Sequence, residues 1–417
     1  MFSMKKVIQT LYIGDTSMDS KNQFCPNIGC SASGKIGQGN IIIHSSKTGR
    51  YLCKICGHTF SERRGTAFYR LRTDANHFSD MVSLMKHGCP PQAIVATYNY
   101  DERTVYAWYA RGAEHSKKVH EAIVAQYRVD AQHVQADELC IRVVRSPRSD
   151  GSCTTDSQVV NDADSHEING VSDGMVQEQR DECVVVPTEE DKGTSRHMWM
   201  AMAMDVSSRL WLGGVVAVHR DNELIVALAQ KVRDCVKRWD FLLCVDGLIS
   251  YVYAFTFVFS MLIFTGKPGR PKRETHPGLV IAQVVKDYAK GRVSSVIRRV
   301  VRGSSEMVDV VLKKTGSFKI NTSYIERLNA TFRGRLAALV RKGRAIAHTE
   351  SLLDHGMYLV GCSYNFCYFH DSLRVAAPAG STKKWVERTP AMAAGLTDHQ
   401  WTMKELLGYK VCPRFIT

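Results

Sequence analysis

The chain has 417 residues, of which 44% are hydrophobic, and a formal net charge of +14 at pH 7. This length allows two or three domains, and the hydrophobic fraction excludes a wholly disordered chain. The positive charge favours a polyanionic partner, with nucleic acid first and an anionic membrane surface second. The 13 cysteines are an odd number and no secretory signal is visible, so we expect reduced thiols in a cytoplasmic protein.

Four cysteines near the start are spaced like the ligands of a zinc ribbon. Cys25 and Cys30 form a C-x4-C pair, and 22 residues later Cys53 and Cys56 form a C-x2-C pair. Glycine turns and short β-prone runs between the pairs suit two knuckles joined by a hairpin. Two such pairs can bring four thiolates to one tetrahedral Zn²⁺. We therefore predict a structural zinc ribbon at 25–60, with four unrelated buried cysteines as the alternative.

The next segment has the signals of short helices. Asp74 can cap a first helix, Pro91 can begin a second, and Asp101 can cap a third that ends at Gly112. Helices of this size predict a helix-turn-helix fold with residues 102–111 as the recognition helix. A small helical spacer is the alternative interpretation.

From residue 131 the pattern becomes α/β. Three β-prone runs are followed by an amphipathic helix that Asp221 can cap, and then by a strand that ends in Asp246. A later run of alternating residues is a candidate fifth strand. The predicted strands lie at 133–144, 197–205, 209–219, 241–247 and 293–303.

Two further segments interrupt this pattern. Residues 247–265 form a run of 19 residues without a charged side chain, which is long enough for a membrane-spanning helix. Their place after a strand favours a buried helix instead. Residues 146–195 hold twelve acidic and three basic side chains and few aromatics. This composition predicts a loop or a disordered insertion.

Three acids stand where a metal site would need them. A three-stranded meander, a helix and a strand that ends in Asp resemble the order of a ribonuclease H-like sheet. In such a sheet Asp137 and Asp246 would lie side by side, and a later helix would deliver Glu326. Carboxylate oxygens are the ligands that Mg²⁺ prefers. Because Glu138 follows Asp137 and successive strand residues point to opposite faces, we expect one of these two to face the site, without knowing which.

The helix that carries Glu326 also carries basic residues. Glu326, Asn329 and Arg333 share one face of it, so the acid could hold a metal while the other two contact DNA. Contacts of this kind with phosphates position the DNA without selecting a sequence. A surface helix with ordinary charge pairs is the alternative. The residues predicted to contact DNA are Arg103, Arg111, Arg270, Arg327, Asn329, Arg333, Arg335 and Lys342.

The runs "QADEL", "CVDGLISY" and "NTSYIERLNATFRGRL", together with "WVERTPAMAAGLTDHQWT" near the end, resemble bacterial insertion-sequence transposases of the Asp-Asp-Glu type. The resemblance is closest to the group with an N-terminal zinc ribbon and helix-turn-helix. It implies a ribonuclease H-like catalytic domain, dependence on Mg²⁺ or Mn²⁺, and cleavage and joining of element ends. It gives the role of metal ligands to Asp137, Asp246 and Glu326.

The predicted protein is therefore an α/β transposase that binds double-stranded DNA at element ends and target, works as a homo-oligomer, and is cytoplasmic and associated with the nucleoid, with no membrane partner. Two alternatives are a non-catalytic DNA-binding remnant and a membrane-anchored DNA-binding protein. The predicted segments are an N-terminal extension at 1–24, the zinc ribbon at 25–60, the helix-turn-helix region at 61–130, the catalytic domain at 131–375 and a C-terminal tail at 376–417.

Overall fold

The computed structural model describes residues 18–142, 197–264, 270–290, 292–339 and 349–412. The acidic insertion predicted at 146–195 therefore lies outside the described residues. The described chain opens with a small antiparallel sheet that has its own cluster of buried side chains. Its strands are β1 (Ile41–Ser45), β2 (Arg50–Cys53) and β3 (Thr59–Ser61).

Three helices follow this sheet, as the sequence predicts. The Asp74 side chain accepts hydrogen bonds from the backbone N–H groups of Asn76 and His77, and Asp101 caps the third helix through the N–H of Thr104. These caps satisfy N–H groups that have no partner within a helix. The helices are α1 (Ala75–Lys86), α2 (Pro91–Tyr98) and α3 (Glu102–His120).

The predicted end of the third helix at Gly112 is wrong. Helix α3 continues for another two turns and then passes into a short π-helical segment, Glu121–Ala125. Gly112 serves close packing instead, because a Cβ there would lie 2.9 Å from Val82 Cγ1 of α1. A helix of 19 residues with a buried face is also longer than a ten-residue recognition helix.

The centre of the molecule is a mixed six-stranded sheet in the order β11-β10-β7-β4-β5-β6. Strands β4, β5 and β6 form the predicted antiparallel meander, β7 and β10 run parallel to β4, and β11 closes one edge antiparallel to β10. A separate hairpin, β8 with β9, lies outside this sheet. The strands are β4 (His133–Arg142), β5 (His197–Asp205), β6 (Trp211–Ala217), β7 (Leu242–Asp246), β8 (Ser260–Ile263), β9 (Lys272–Thr275), β10 (Val280–Ala289) and β11 (Arg292–Arg302).

Helices pack on this sheet around one large hydrophobic core. The predicted cap at Asp221 is confirmed, since its side chain accepts from the N–H of Leu224. Helix α4 packs on β5, β6 and α5, whereas α7 lies against β4 and β5, and α8 lies against β6 and α3. The helices are α4 (Asn222–Cys235), α5 (Ile249–Val258), α6 (Ser305–Lys314), α7 (Ser323–Arg335) and α8 (Glu350–Cys367).

The prediction of one buried helix at 247–265 is wrong. The helix α5 ends at Val258, and the rest of the charge-free run forms the exposed strand β8. One face of α5 is buried, but Tyr253 on its other face is 52% exposed. Phe264, directly after β8, is 76% exposed. No helix in the described ranges combines the length and apolar character that crossing a bilayer requires.

The C-terminal segment folds back onto the N-terminal half. The N–H of Ala67 donates to the Leu407 carbonyl at 2.9 Å, and the N–H of Val411 donates to the Gly65 carbonyl at 3.0 Å. The side chain of Leu407 is fully buried. The stretch around Leu407 is therefore part of the core. The elements of the C-terminal segment are the hairpin β12 (Val375–Ala376) and β13 (Trp385–Val386) and the helices α9 (Pro390–Ala393) and α10 (Met403–Gly408).

A buried side chain of the central strand fixes the start of α7. Thr322, at the N-cap of α7, makes no capping bond with its side chain. The Gln135 side chain of β4 replaces this cap, because its Oε1 accepts from the N–H groups of Tyr324 and Ile325 at 3.0 Å each. Its Nε2 donates to the Asn321 carbonyl at 2.7 Å. The position of α7 therefore depends on β4.

We predict that Gln135→Leu lowers the free energy of unfolding by about 2–4 kcal/mol, because each buried N–H left without a partner costs about 1–3 kcal/mol. Urea denaturation measures this loss. Gln92→Leu, at an exposed position, is the matched control and should change stability little. Equal losses in the two variants would show that Gln135 does not hold the helix.

Candidate functional site: a carboxylate cluster and a cysteine cluster

The central sheet brings three acids to one place. Strands β4 and β7 are parallel and pair Gln135 with Cys244, so that Asp137 and Asp246 stand at the same level two residues further on. Oxygen atoms of Asp137, Glu138 and Asp246 all lie within 4.8 Å of one another. The expected placement of Asp137 beside Asp246 is therefore present in the structure.

The expectation that strand alternation would bring only one of Asp137 and Glu138 to the site is wrong. Asp137 accepts a hydrogen bond from Asn329 Nδ2 of α7 at 2.8 Å. Glu138 accepts one from the Tyr251 hydroxyl of α5 at 2.7 Å. The two side chains thus meet different helices, as successive strand residues should. Alternation nevertheless fails to separate them, because both carboxylates reach the end of β7.

An arginine bridges two of the three acids. Arg220, in the loop between β6 and α4, forms ion pairs with Glu138 and with Asp246 Oδ2, the latter at 3.4 Å. The Glu138 side chain is only 2% exposed, so its charge needs such a partner. The Arg220 guanidinium also lies 5.0 Å from the centre of the Trp199 ring. These contacts hold the Arg220 guanidinium beside the acids.

The acids of the cluster disfavour one another's ionised forms despite Arg220. Burial, followed by the neighbouring charges of Glu138 and Asp246, raises the pKa of Asp137 to about 8. Burial and Asp246 also raise the pKa of Glu138. Carboxylate oxygens that share so small a space are the donor set of a hard divalent cation, which would remove the mutual repulsion. The residues present therefore fit Mg²⁺ or Mn²⁺.

Glu326 lies beside this cluster but has other partners. It occupies the first turn of α7 and is exposed. Its Oε1 accepts hydrogen bonds from Lys286 Nζ at 2.9 Å and from Thr322 Oγ1 at 2.8 Å. Its charge still contributes to the raised pKa of Asp137. Glu326 is therefore close enough to influence the cluster electrostatically. Among the described residues, the acids whose oxygens lie within 4.8 Å of one another are Asp137, Glu138 and Asp246, without Glu326.

Two residues predicted to contact DNA are used inside the protein instead. Arg111 donates to the carbonyl oxygens of Ala67 and Tyr69 at 3.2 and 2.8 Å. Asn329 is buried and donates to Asp137. Arg111 ties α3 to the segment before α1, and Asn329 orients a carboxylate.

The other predicted DNA contacts differ in exposure. Arg103, Arg270 and Arg327 are exposed, whereas Arg333 and Arg335 are half-buried. The Arg335 guanidinium stacks 3.6 Å from the centre of the Tyr368 ring. Lys342 lies outside the described residues.

Three partners of the acids were missed by sequence reasoning, namely Arg220, Tyr251 and Lys286. Each lies far along the chain from the acid that it contacts; Tyr251, for example, is 113 residues from Glu138. Arg220 looked like an ordinary loop residue before the helix cap, and Tyr251 looked like part of an apolar run. The Tyr251 hydroxyl, five residues after Asp246, was the one sequence signal for a polar partner of the acids.

The four cysteines near the start come together as predicted. Sulfur atoms of Cys25, Cys30, Cys53 and Cys56 lie within 4.8 Å of one another. The Cys25–Cys56 and Cys30–Cys53 sulfur distances are 3.6 and 4.0 Å. A tetrahedron with Zn–S bonds of ~2.3 Å has sulfur atoms about 3.8 Å apart, so the cluster is compatible with a structural zinc site.

The surroundings of the cluster lower the pKa of Cys53 and Cys56, whereas burial raises the pKa of Cys25 and the pKa of Cys30 is also raised. Burial opposes ionisation of Cys56, but hydrogen bonds from the His58 backbone and from Asn27 lower its pKa to about 6. The Asn40 side chain donates to Cys53 Sγ at 3.2 Å. Zinc binds the thiolate form, so these donors prepare the site for the metal.

We predict that the double variant Cys53→Ser with Cys56→Ser loses its zinc, because a serine hydroxyl is a poor replacement for a thiolate ligand. Metal analysis of the purified protein measures zinc per chain. Cys89→Ser, outside the cluster, should keep the wild-type content. Unchanged zinc in the double variant would contradict the assignment.

We also predict that Arg220→Gln tightens Mn²⁺ binding about tenfold, because the guanidinium repels a second cation. Tenfold is ~1.4 kcal/mol, a fraction of the ~4 kcal/mol between two unit charges 4 Å apart near a protein surface. Calorimetric titration measures the affinity. Arg238→Gln is the control, since Arg238 likewise bridges two acids, Asp130 and Asp240, at 3.1 and 3.3 Å. Weaker binding in Arg220→Gln would mean that the arginine positions the ligands instead.

A scan of the sequence against protein-family models finds no match, and a search of curated proteins finds no significantly similar sequence.

Proposed function

We propose that this protein is a transposase of the Asp-Asp-Glu type, which cuts DNA at the ends of a mobile element and joins the freed 3′-hydroxyl to target DNA. The sheet supports this proposal. Its antiparallel meander is followed by two strands parallel to the first strand, which agrees with the order that we expect of a ribonuclease H-like domain. A fold alone does not define an activity, so the positions of the acids are the main support for the proposal.

The observation that carries the proposal is the meeting of Asp137, midway along β4, with Asp246, the last residue of the neighbouring parallel strand β7. The helix α7 approaches the same place, where Asn329 contacts Asp137 and Glu326 lies one turn earlier. Three acids from two strands and a helix are what metal-dependent phosphodiester chemistry requires.

In this proposal Asp137 and Asp246 hold divalent cations, and Glu326 completes the site after leaving Lys286. When bound, the cations supply Lewis acidity to the scissile phosphate and to the attacking oxygen. Asn329 fixes the orientation of the Asp137 carboxylate through its 2.8 Å hydrogen bond. Tyr251 and Arg220 hold Glu138. Asn329 thus fixes the orientation of one ligand before any DNA arrives.

Basic residues around the acids suit a DNA backbone. Arg327 is exposed next to Glu326 on α7, and Arg333 lies two turns further along the same helix. Phosphate contacts from such residues give salt-dependent affinity. Arg103, exposed in the first turn of α3, and the zinc ribbon would bind the element ends. Because two ends must be held at once, we propose that at least two copies act together.

A second candidate is a DNA-binding protein without strand chemistry. The ion pair between Glu326 and Lys286 favours it, since it engages Glu326 away from the other acids. The three remaining acids argue for the transposase, because a binding protein has no use for buried carboxylates that repel one another. One experiment separates the two.

We predict that Glu326→Gln lowers Mg²⁺-dependent cleavage of element-end DNA at least about a hundredfold, because loss of a ligand should exceed the ~10–100-fold typical of outer partners. DNA binding should be nearly unchanged. Nicking and joining of a duplex that carries the DNA flanking this gene are measured on sequencing gels.

Glu306→Gln is the matched control, because Glu306 is also an exposed acid in the first turn of a helix. Full cleavage by Glu326→Gln would remove this residue from the site. Binding without cleavage in the wild type would favour the non-catalytic alternative.

A further inference from the structure

The hairpin β12–β13 is exposed to solvent. Its strands are two residues each, and the eight residues 377–384 connect them. Gly380 has a φ of 88°, a left-handed conformation that favours glycine in the turn. Residues 374–387 are exposed except for one half-buried position. Because so short a hairpin adds little to folding, its surface side chains have room for another role.

A cavity of about 370 Å³ lies between this hairpin and the segment that follows α8. We call it the hairpin cleft. Its two aromatic side chains are Phe369 and Trp385, and its cations are Arg374, Lys383 and Lys384. The volume falls within the range of small-molecule sites and would hold one nucleotide.

The aromatic side chains of the hairpin cleft are partly exposed to solvent. Phe369 and Trp385 are 40% and 39% exposed. Arg374 Cζ and Lys384 Nζ lie 5.0 and 5.8 Å from the centre of the Trp385 ring. Aromatic rings beside cations form a stacking platform for bases with partners for phosphate.

The hairpin cleft also lies near the helix of Glu326. Burial, then the charges of Arg209 and Arg327, lower the pKa of His370, which lines the cleft. Arg327 is the residue after Glu326, and Arg209 stacks 3.9 Å from the centre of the Tyr324 ring at the start of α7. Positive charge therefore continues from α7 to the cleft.

We propose that the hairpin cleft binds one unpaired nucleotide of DNA, with its base stacked on Trp385 and Phe369 and its phosphate held by Lys383 and Lys384. The inference rests on the proposed function in taking DNA as the ligand. Asp371 and Glu387 also line the cleft. Their carboxylates accept hydrogen bonds, so the site favours bases with an amino group over thymine.

Binding of two duplexes tests this assignment. One is blunt, and the other ends in a single-stranded overhang that contains 2-aminopurine, an amino-bearing base whose fluorescence falls when it stacks. Without added Mg²⁺ or Mn²⁺, so that no strand is cut while the zinc site is left intact, the wild type should bind the overhang duplex more tightly and quench its fluorescence. Trp385→Ala should bind the overhang about tenfold more weakly and lose the quenching, with blunt-duplex affinity unchanged. Trp385→Phe should restore part of both.

Phe318→Ala is the matched control, because Phe318 is a fully exposed aromatic outside the cleft. Quenching that survives in Trp385→Ala, or equal loss of affinity for both duplexes, would overturn the assignment. The proposed function fails separately. If the wild type cleaves DNA but does not prefer the overhang duplex, only the assignment of the cleft is wrong. If the base stacks but no strand is ever cleaved, only the proposed strand chemistry is wrong.

Discussion

The buried amide of Gln135 joins the two parts of the carboxylate site. It lies on β4, two residues before Asp137, and caps the helix that carries Glu326 and Asn329. One strand therefore supplies an acid and also fixes the helix that orients it. A side chain with both donor and acceptor is needed, because the same amide binds two N–H groups and a carbonyl. Without this link, the first turn of α7 would lose its hydrogen bonds to β4.

Charge balance is the second constraint on the site. Asp137 and Glu138 are largely withdrawn from water, and each has a raised pKa because burial and neighbouring acids disfavour its ionised form. Arg220 compensates part of this charge, and Asn329 and Tyr251 supply neutral donors. Such an arrangement is costly for folding unless it serves a ligand of opposite charge. In the proposed function, divalent cations and the strand chemistry that they would support give it a purpose.

Sequence reasoning found the elements whose signals are local. The caps at Asp74 and Asp221, the meander and the cysteine spacing depend on neighbouring residues, and all four are present. It failed where tertiary contacts decide. Gly112 looked like a helix end, but the close approach of α1 requires it within a longer helix. The partnership of Arg220 with Glu138 spans 82 residues and has no periodicity to indicate it.

The most direct test of the central claim is to locate a bound cation on the chain. Fe²⁺ in place of Mg²⁺, with ascorbate and peroxide, produces radicals that cut the polypeptide beside the ion. We expect the polypeptide to be cut in β4 near Asp137, in β7 near Asp246 and at the start of α7. Excess Mg²⁺ should suppress all of these cuts. Cuts that avoid these segments, or that Mg²⁺ does not suppress, would show that the acids do not form a cation site.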